Sequence, residues 1–411
     1  MRRSNNDDAP PCFERIGPDL CTGCAACANG CSRDAIEIRL DPQGFYRPRR
    51  IKDLCSDCMA CIGYCPVIAA EKRGGDAALT ESPEVFAAWS TDEQIHAASS
   101  SGGIFSELAR HILDQSGRVC GCAWGEEWTP QHVIVREWAQ VAPLRGSKYV
   151  PSFVGPRLYR EIITLAESGT PVLFSGTPCQ VAGLERIASP GARANLLLVD
   201  VVCHGVPSLI SFWRYLEWRF GARKHLTHFT FRNKEISTQT ICAKTHTGAK
   251  YMATCAEDPW FRSAMVYHLL LQRCCFECRF GALPRSGDIT LGDFWGIPAQ
   301  WHHPRGDSVV LANTEKGKQF LRGLTQGGRI RVKPSNFGTA SAKVHRLRGS
   351  IYPLPALRNL ALQWIADGKS FGRVYRLCYL PFRLKERFIA AARRKTRGLS
   401  RPLRHLWSWG R

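Results

Sequence analysis

Two short runs near the start of the chain, 35–39 and 44–47, read as strands on either side of Asp41-Pro42-Gln43-Gly44, and a Pro/Gly turn between such runs predicts a hairpin. Farther along, 171–174 reads as a strand that turns through Ser175-Gly176-Thr177-Pro178-Cys179-Gln180 into a helix. A second, buried strand over 196–202 leads through Cys203-His204-Gly205-Val206-Pro207 into an aromatic-rich helix. A third junction, Ser99-Ser100-Ser101-Gly102-Gly103, opens a helix over 104–113. Residues 76–92 read as a helical linker. From about 93 to 335 strand-like and helical runs alternate, which predicts a mixed α/β domain. From 336 the chain is basic and partly amphipathic.

At 411 residues and 44% hydrophobic composition, the chain is long enough for two or three domains and has the make-up of a globular protein. No apolar run approaches the roughly 18 residues that span a bilayer; the best, 196–202, is broken by Asp200. The opening MRRSNNDDAP lacks the apolar stretch of a secretory signal, so the expected location is the cytoplasm. In that reducing compartment nineteen cysteines point to metal or cluster ligation rather than disulfides. The net charge of +21 is uneven: residues 371–411 hold twelve Lys and Arg against one acid, Glu386.

Cys21, Cys24, Cys27 and Cys31 follow the spacing C-x2-C-x2-C-x3-C, and Cys55, Cys58, Cys61 and Cys65 repeat it, with Pro66 after the last. A cubane iron–sulfur cluster needs four thiolates converging on one small volume, and two-residue gaps let three of them wrap one corner. In two-cluster ferredoxins the fourth cysteine of each run serves the other cluster. That assigns Cys21, Cys24, Cys27 and Cys65 to one 4Fe–4S cluster and Cys55, Cys58, Cys61 and Cys31 to a second. Ser32 stands where proline usually follows, which removes a restraint but no ligand. The competing reading is a pair of zinc sites, but zinc knuckles rarely use four cysteines so tightly spaced, twice.

In the α/β zone, Thr177 is a good N-cap and Pro178 suits the first helical position. Cys179 therefore falls in the first helical turn, where the helix dipole favours a thiolate. If both strands lie in one parallel sheet, Cys179 and Cys203 emerge at the same carboxyl edge, where α/β ligand sites form. Cys275 and Cys278, a C-x2-C pair, would complete a third four-thiolate site, with Cys274 a rival for Cys275. Alternatively Cys179 and Cys203 are buried small side chains and the pair binds zinc or nothing; the residues alone leave both readings open. Cys12, Cys120, Cys122, Cys242, Cys255 and Cys378 have no partner at ligand spacing and read as packing residues. The Ser/Gly loop could admit phosphate to backbone amides, and Lys148 of Gly146-Ser147-Lys148-Tyr149 offers a second phosphate contact or a solvated charge. His204 is a candidate proton donor or a structural histidine. No G-x-G-x-x-G occurs, which argues against a Rossmann-type dinucleotide site.

Taken in order, SSGGIFS (100–106), GSKY (146–149), GTPCQ (176–180), CHGVP (203–207), Cys275 with Cys278, and DITLGDFWG (288–296) resemble the beta subunit of coenzyme F-420 hydrogenase/dehydrogenase over residues 95–335. The two-cluster module in front is a common companion. The resemblance implies an FAD, a further 4Fe–4S cluster on Cys179, Cys203, Cys275 and Cys278, and flavin contacts from Ser100, Ser101, Gly102, Gly103, Lys148, Gln180 and Asp293. The implied architecture is α/β (mixed): a ferredoxin-like dicluster domain (1–75), the linker, a larger flavin domain (93–335) and a basic helical tail (336–411). The implied function is an oxidoreductase passing electrons between ferredoxin, or another one-electron carrier, and a small-molecule partner such as the deazaflavin. Its rival is an electron-transfer subunit with no substrate of its own, wiring a partner enzyme to ferredoxin. In the tail, Val374, Leu377, Leu384, Phe388 and Ala391 recur at helical spacing among basic residues, with Trp407 and Trp409 beyond. That pattern suits either peripheral contact with anionic lipid or a packed or solvated tail; no nucleic-acid-binding module accompanies it.

Overall fold

The computed structural model describes residues 11–72, 82–234, 236–349 and 352–379, together with 381, 382 and 384. The two cysteine runs fold as copies of one another. In each, the residue two after the first cysteine (Gly23, φ +70°; Asp57, φ +50°) and the residue just after the second (Ala25, φ +64°; Met59, φ +57°) take left-handed backbone. A short helix follows, Ala26–Gly30 in one run and Ala60–Tyr64 in the other. The copies pack so closely that a Cβ on Gly30 would lie 2.4 Å from the Tyr64 ring. Between them strands β1 (Ile36–Leu40) and β2 (Tyr46–Arg50) pair antiparallel, as the hairpin pattern predicts.

Strands β3 (Glu84–Ser90), β4 (Arg118–Trp124), β5 (Pro130–Val135), β6 (Val172–Gly176) and β7 (Leu196–Val201) belong to the main sheet. Strands β8 (Leu226–Thr230), β9 (Thr240–Thr245) and β10 (Lys250–Thr254) form a small antiparallel sheet. Strands β11 (Ile289–Asp293), β12 (Ser308–Ala312) and β13 (Ile330–Ser335) complete the main sheet, in the order β13-β3-β12-β11-β7-β6-β4-β5. Strands β11, β7, β6 and β4 run parallel, and the strands at both ends are antiparallel. The fold is mixed α/β.

The central strands are mostly apolar because both faces are covered. Leu173, Leu197 and Val199 face helices Ile104–Asp114 and Glu315–Gln326 through Leu108, Ile112, Leu321 and Leu324. Their neighbours in sequence, Val172, Phe174, Leu196 and Leu198, pack on the other face against Tyr159, Ile162, Val181 and Leu184, from helices Leu158–Glu167 and Pro178–Ile187.

Two expected boundaries are corrected. The linker over 76–92 is not helical where it is described: Glu84–Ser90 is β3, paired on both sides by β12 and β13. Its Ala87-Ala88 favours helix intrinsically, but two flanking strands override that preference; residues 73–81 lie outside the described residues. The tail likewise does not begin at 336. Helices Phe337–Lys343 and Arg358–Ala366 and a helix over 371–379 pack on the body, and Phe371, Val374 and Cys378 enter an aromatic core with Phe212, Tyr215 and Trp260. Phe388, Ala391, Trp407 and Trp409, with most of the basic residues behind the lipid-contact reading, lie outside the described residues. Among the described residues no helix is long and apolar enough to cross a membrane.

Candidate active site

Because β6, β7 and β11 are parallel neighbours, Cys179, Cys203 and Asp293 leave the sheet at one carboxyl edge, where α/β proteins place ligands. A cavity of about 320 Å³ opens there. Its walls include Ser100, Ser101, Gly103, Lys148, Cys179, Gln180, Cys203, His204 and Asp293. Every flavin contact implied by the resemblance except Gly102 thus lines one space. Gly102 sits behind the wall: its N–H donates to Ser308 Oγ (2.9 Å), and a Cβ there would lie 2.1 Å from the Ala88 carbonyl oxygen.

Several of these side chains are already engaged. Lys148 Nζ donates to the carbonyls of Pro143 and Arg145 (both 2.8 Å), and burial pushes its pKa down to about 8. Gln180 Oε1 accepts from Thr177 N–H and Oγ1 (both 3.0 Å), while its Nε2 donates to Ser152 Oγ (3.1 Å). Gln180 therefore shapes the turn that carries Cys179. Asp293 pairs with Arg232, which also donates to Tyr149 Oη. His204 Nε2 faces His268 Nε2 at 3.0 Å, and its Nδ1 is 3.1 Å from Tyr352 Oη. Burial holds both rings neutral, with pKa values pushed down to about 3 for His204 and about 4 for His268; one Nε2 must donate and the other accept.

The cysteines fall into two further groups. Cys21, Cys24, Cys27 and Cys65 line one narrow crevice, and Cys179, Cys203, Cys275 and Cys278 line another. Cys274 also reaches the second crevice, where its thiol hydrogen-bonds Cys275 and holds that residue down to about 7. Cys31 and Cys61 pack beside the first crevice; Cys55 is half-buried and Cys58 exposed, which sets the second run toward solvent. Cys12, read from sequence as packing, also lines the first crevice. Cys122 lines the large cavity, while Cys120, Cys242, Cys255 and Cys378 are buried away from all three spaces.

These surroundings fit the implied groups. Burial pushes the thiols of Cys21 and Cys203 up to about 11 and 12, and that of Cys179 well above the usual thiol range. Bound iron reverses that penalty. Among the described residues no three His, Cys, Asp or Glu side chains are placed to share one metal ion. Two residues on the wall of the large cavity, Thr22 and His132, carry buried polar atoms (Oγ1 and Nδ1) with no hydrogen-bond partner among the described residues, as a wall built for a polar ligand would.

Thr22, which no motif picks out, borders all three spaces. The cysteine module is fastened around it: Gln272 Nε2 donates to the Cys21 carbonyl (2.6 Å) and Tyr159 Oη to that of Cys24 (3.1 Å). Only the tertiary structure reveals Thr22 and His132, since a lone threonine or histidine carries no spacing signal.

Comparison with known proteins adds the family. No curated protein matches the chain. Among solved structures it is similar, at 19% identity and a TM-score of 0.46, to a chain of the F420-reducing NiFe hydrogenase complex from Methanosarcina barkeri, studied as a xenon derivative; the match covers 72% of this chain and 92% of that one. Two family models match, one for each end of the coenzyme F420 hydrogenase/dehydrogenase beta subunit: the N-terminal one over residues 85–156 and the C-terminal one over residues 169–336. With more than half of its length matched, from the start of β3 to the end of the main sheet, the chain belongs to the coenzyme F420 hydrogenase/dehydrogenase beta-subunit family and is an oxidoreductase.

Proposed function

We propose that this oxidoreductase is an iron–sulfur flavoprotein that passes electrons between a one-electron carrier of ferredoxin type and a two-electron partner, the deazaflavin or another small molecule. The carrying observation is the place of Thr22, one residue that borders both cysteine crevices and the large cavity. Cys21, Cys24, Cys27 and Cys65 would hold one 4Fe–4S cluster, Cys31, Cys55, Cys58 and Cys61 a second, and Cys179, Cys203, Cys275 and Cys278 a third. FAD would occupy the large cavity, and when bound it converts between single-electron and hydride chemistry.

The chain's own residues then have separate tasks. Exposed Cys58 and half-buried Cys55 put the second cluster site where a carrier can approach. The Ser/Gly loop and Asp293 would border the flavin, and Gln180 keeps the Cys179 turn in shape. His204 would hold a proton at its ring beside the cavity, in contact with His268 and Tyr352.

Anaerobic iron and flavin analysis tests the reading. About twelve irons, four per cluster, and one FAD per chain are expected. In Cys179→Ala the iron should fall to about eight while the N-terminal signals persist. Iron content unchanged by that substitution would remove Cys179 from the ligand set, and protein loaded with zinc instead would end the proposal.

A further inference from the structure

Beside the large cavity lies a second recess of about 210 Å³, sharing the wall made by Ser99, Ser100, Arg145 and Gly146. Its far side is formed in part by Thr230, Arg232 and Lys234. Three cations and several hydroxyls thus face one space, and no carboxylate contributes to its lining.

Each cation is fixed in place. Arg145 Nε donates to Ser106 Oγ (3.2 Å), and its guanidinium lies 4.9 Å from the Trp138 ring; no carboxylate among the described residues forms an ion pair with it. Lys234 Nζ donates to the carbonyls of His96 (2.9 Å) and Ser101, neutral partners that hold the ammonium without cancelling its charge. Arg232 is held by Asp293 and Tyr149. Ser100 Oγ accepts from both the N–H (2.9 Å) and the hydroxyl (3.2 Å) of Ser147, which leaves its own proton to point elsewhere. Burial pushes Lys234 down to about 8, against the pull of Asp293, and also lowers Arg145, against that of Asp92, as expected for cations taken out of water.

We infer that this recess binds a phosphate or diphosphate group of a ligand whose remaining part lies in the large cavity. Guanidinium groups, an ammonium and the Ser100 hydroxyl are chemistry that recognises phosphoryl oxygens; the hydroxyls of Ser99 and Thr230 already donate to the carbonyls of Ile95 (2.7 Å) and Arg232 (2.9 Å). The shared wall lets one molecule reach from one space into the other. The phosphoryl group belongs either to the flavin itself or to a second, phosphorylated substrate. That division of sources rests on the flavin reading above; the anion site does not.

The test is calorimetric titration of the full-length chain with inorganic pyrophosphate, in its flavin-loaded form and after flavin removal. Saturable binding is expected, with Arg145→Met and Lys234→Met each weakening it about 10- to 100-fold, the range of one lost charge-assisted hydrogen bond. Lys234→Arg keeps the charge and should retain most of the affinity, which separates loss of a contact from loss of the fold. Binding only to the flavin-free form, with flavin lost from the Met variants, assigns the group to the flavin. Equal binding to both forms, with flavin retained, assigns it to a second substrate. No saturable binding in either form, or binding that both Met variants leave unchanged, overturns the inference. A chain that purifies without any flavin would sink the flavin reading alone and leave this one to the titration.

Discussion

Asp200 shows how one side chain can be misjudged from its neighbours. It interrupts the apolar run of β7 and looks like a blemish in a buried strand, yet it is fully buried and paired with Arg285 at 2.6 Å. Its other carboxylate oxygen accepts from the Gly287 N–H (2.9 Å). Arg285 in turn donates to the carbonyl of Gly281 (2.6 Å), three residues after Cys278. The pair therefore ties the C-x2-C loop to the strand that delivers Cys203. Removing one partner of a buried pair strands the other, at a cost of about 3–5 kcal/mol. Asp200→Asn should lower stability by that amount in urea unfolding of the intact protein; a loss below about 1 kcal/mol would mean that water reaches Arg285 and the tie is loose.

The turn from β6 into the Pro178–Ile187 helix places a cysteine at the sheet edge through ordinary capping chemistry. Thr177 and Gln180 close the first turn on each other, and Gly183 lets the helix approach the other module: its Cβ would sit 3.3 Å from Cys24 Sγ. Gln180→Met keeps the volume and removes the cap and the bond to Ser152. It should cost about 1 kcal/mol of stability, typical of a lost helix cap, measured by thermal or urea unfolding. Loss of flavin without any loss of stability would instead make Gln180 a direct ligand. This junction was readable as sequence because its signals (N-cap, proline, helix dipole) are local. Strand β3 was not, because its pairing partners lie more than 200 residues away and its Ala87-Ala88 pair breaks the strand-like signal of Val85, Phe86 and Trp89.

Over the molecule as a whole, the cysteine module and the sheet domain are joined by directed hydrogen bonds. Arg160 donates to the carbonyls of Asn29 (2.6 Å), Ala28 (3.3 Å) and Cys31, and Asn29 Nδ2 reaches the Gly155 carbonyl (3.0 Å). These contacts hold the first cysteine run against the Leu158–Glu167 helix and the loop before it. Arg160→Ala should leave the sheet intact but raise amide hydrogen exchange in the Ala26–Gly30 helix about tenfold or more, since each bond to a charged group contributes about 1.5–3 kcal/mol. Exchange unchanged there would show that apolar packing alone seats the module.

Taken by itself, the sequence determined the cysteine runs, the hairpin between them, the parallel strands that end in Cys179 and Cys203, and the order of motifs that marks the family. All of these rest on spacing or on chemistry within a few residues. It left the convergence of Cys275 and Cys278 with Cys179 and Cys203 open, because spacing along a chain does not measure distance across it. Only the packed structure decided that the two groups of cysteines and the large cavity meet at Thr22, that Cys12 joins the first group, and that Arg145, Arg232 and Lys234 close around one recess. Those meetings depend on which strands lie side by side, and strand order is set by burying both faces of the sheet at once, a condition the whole chain satisfies together.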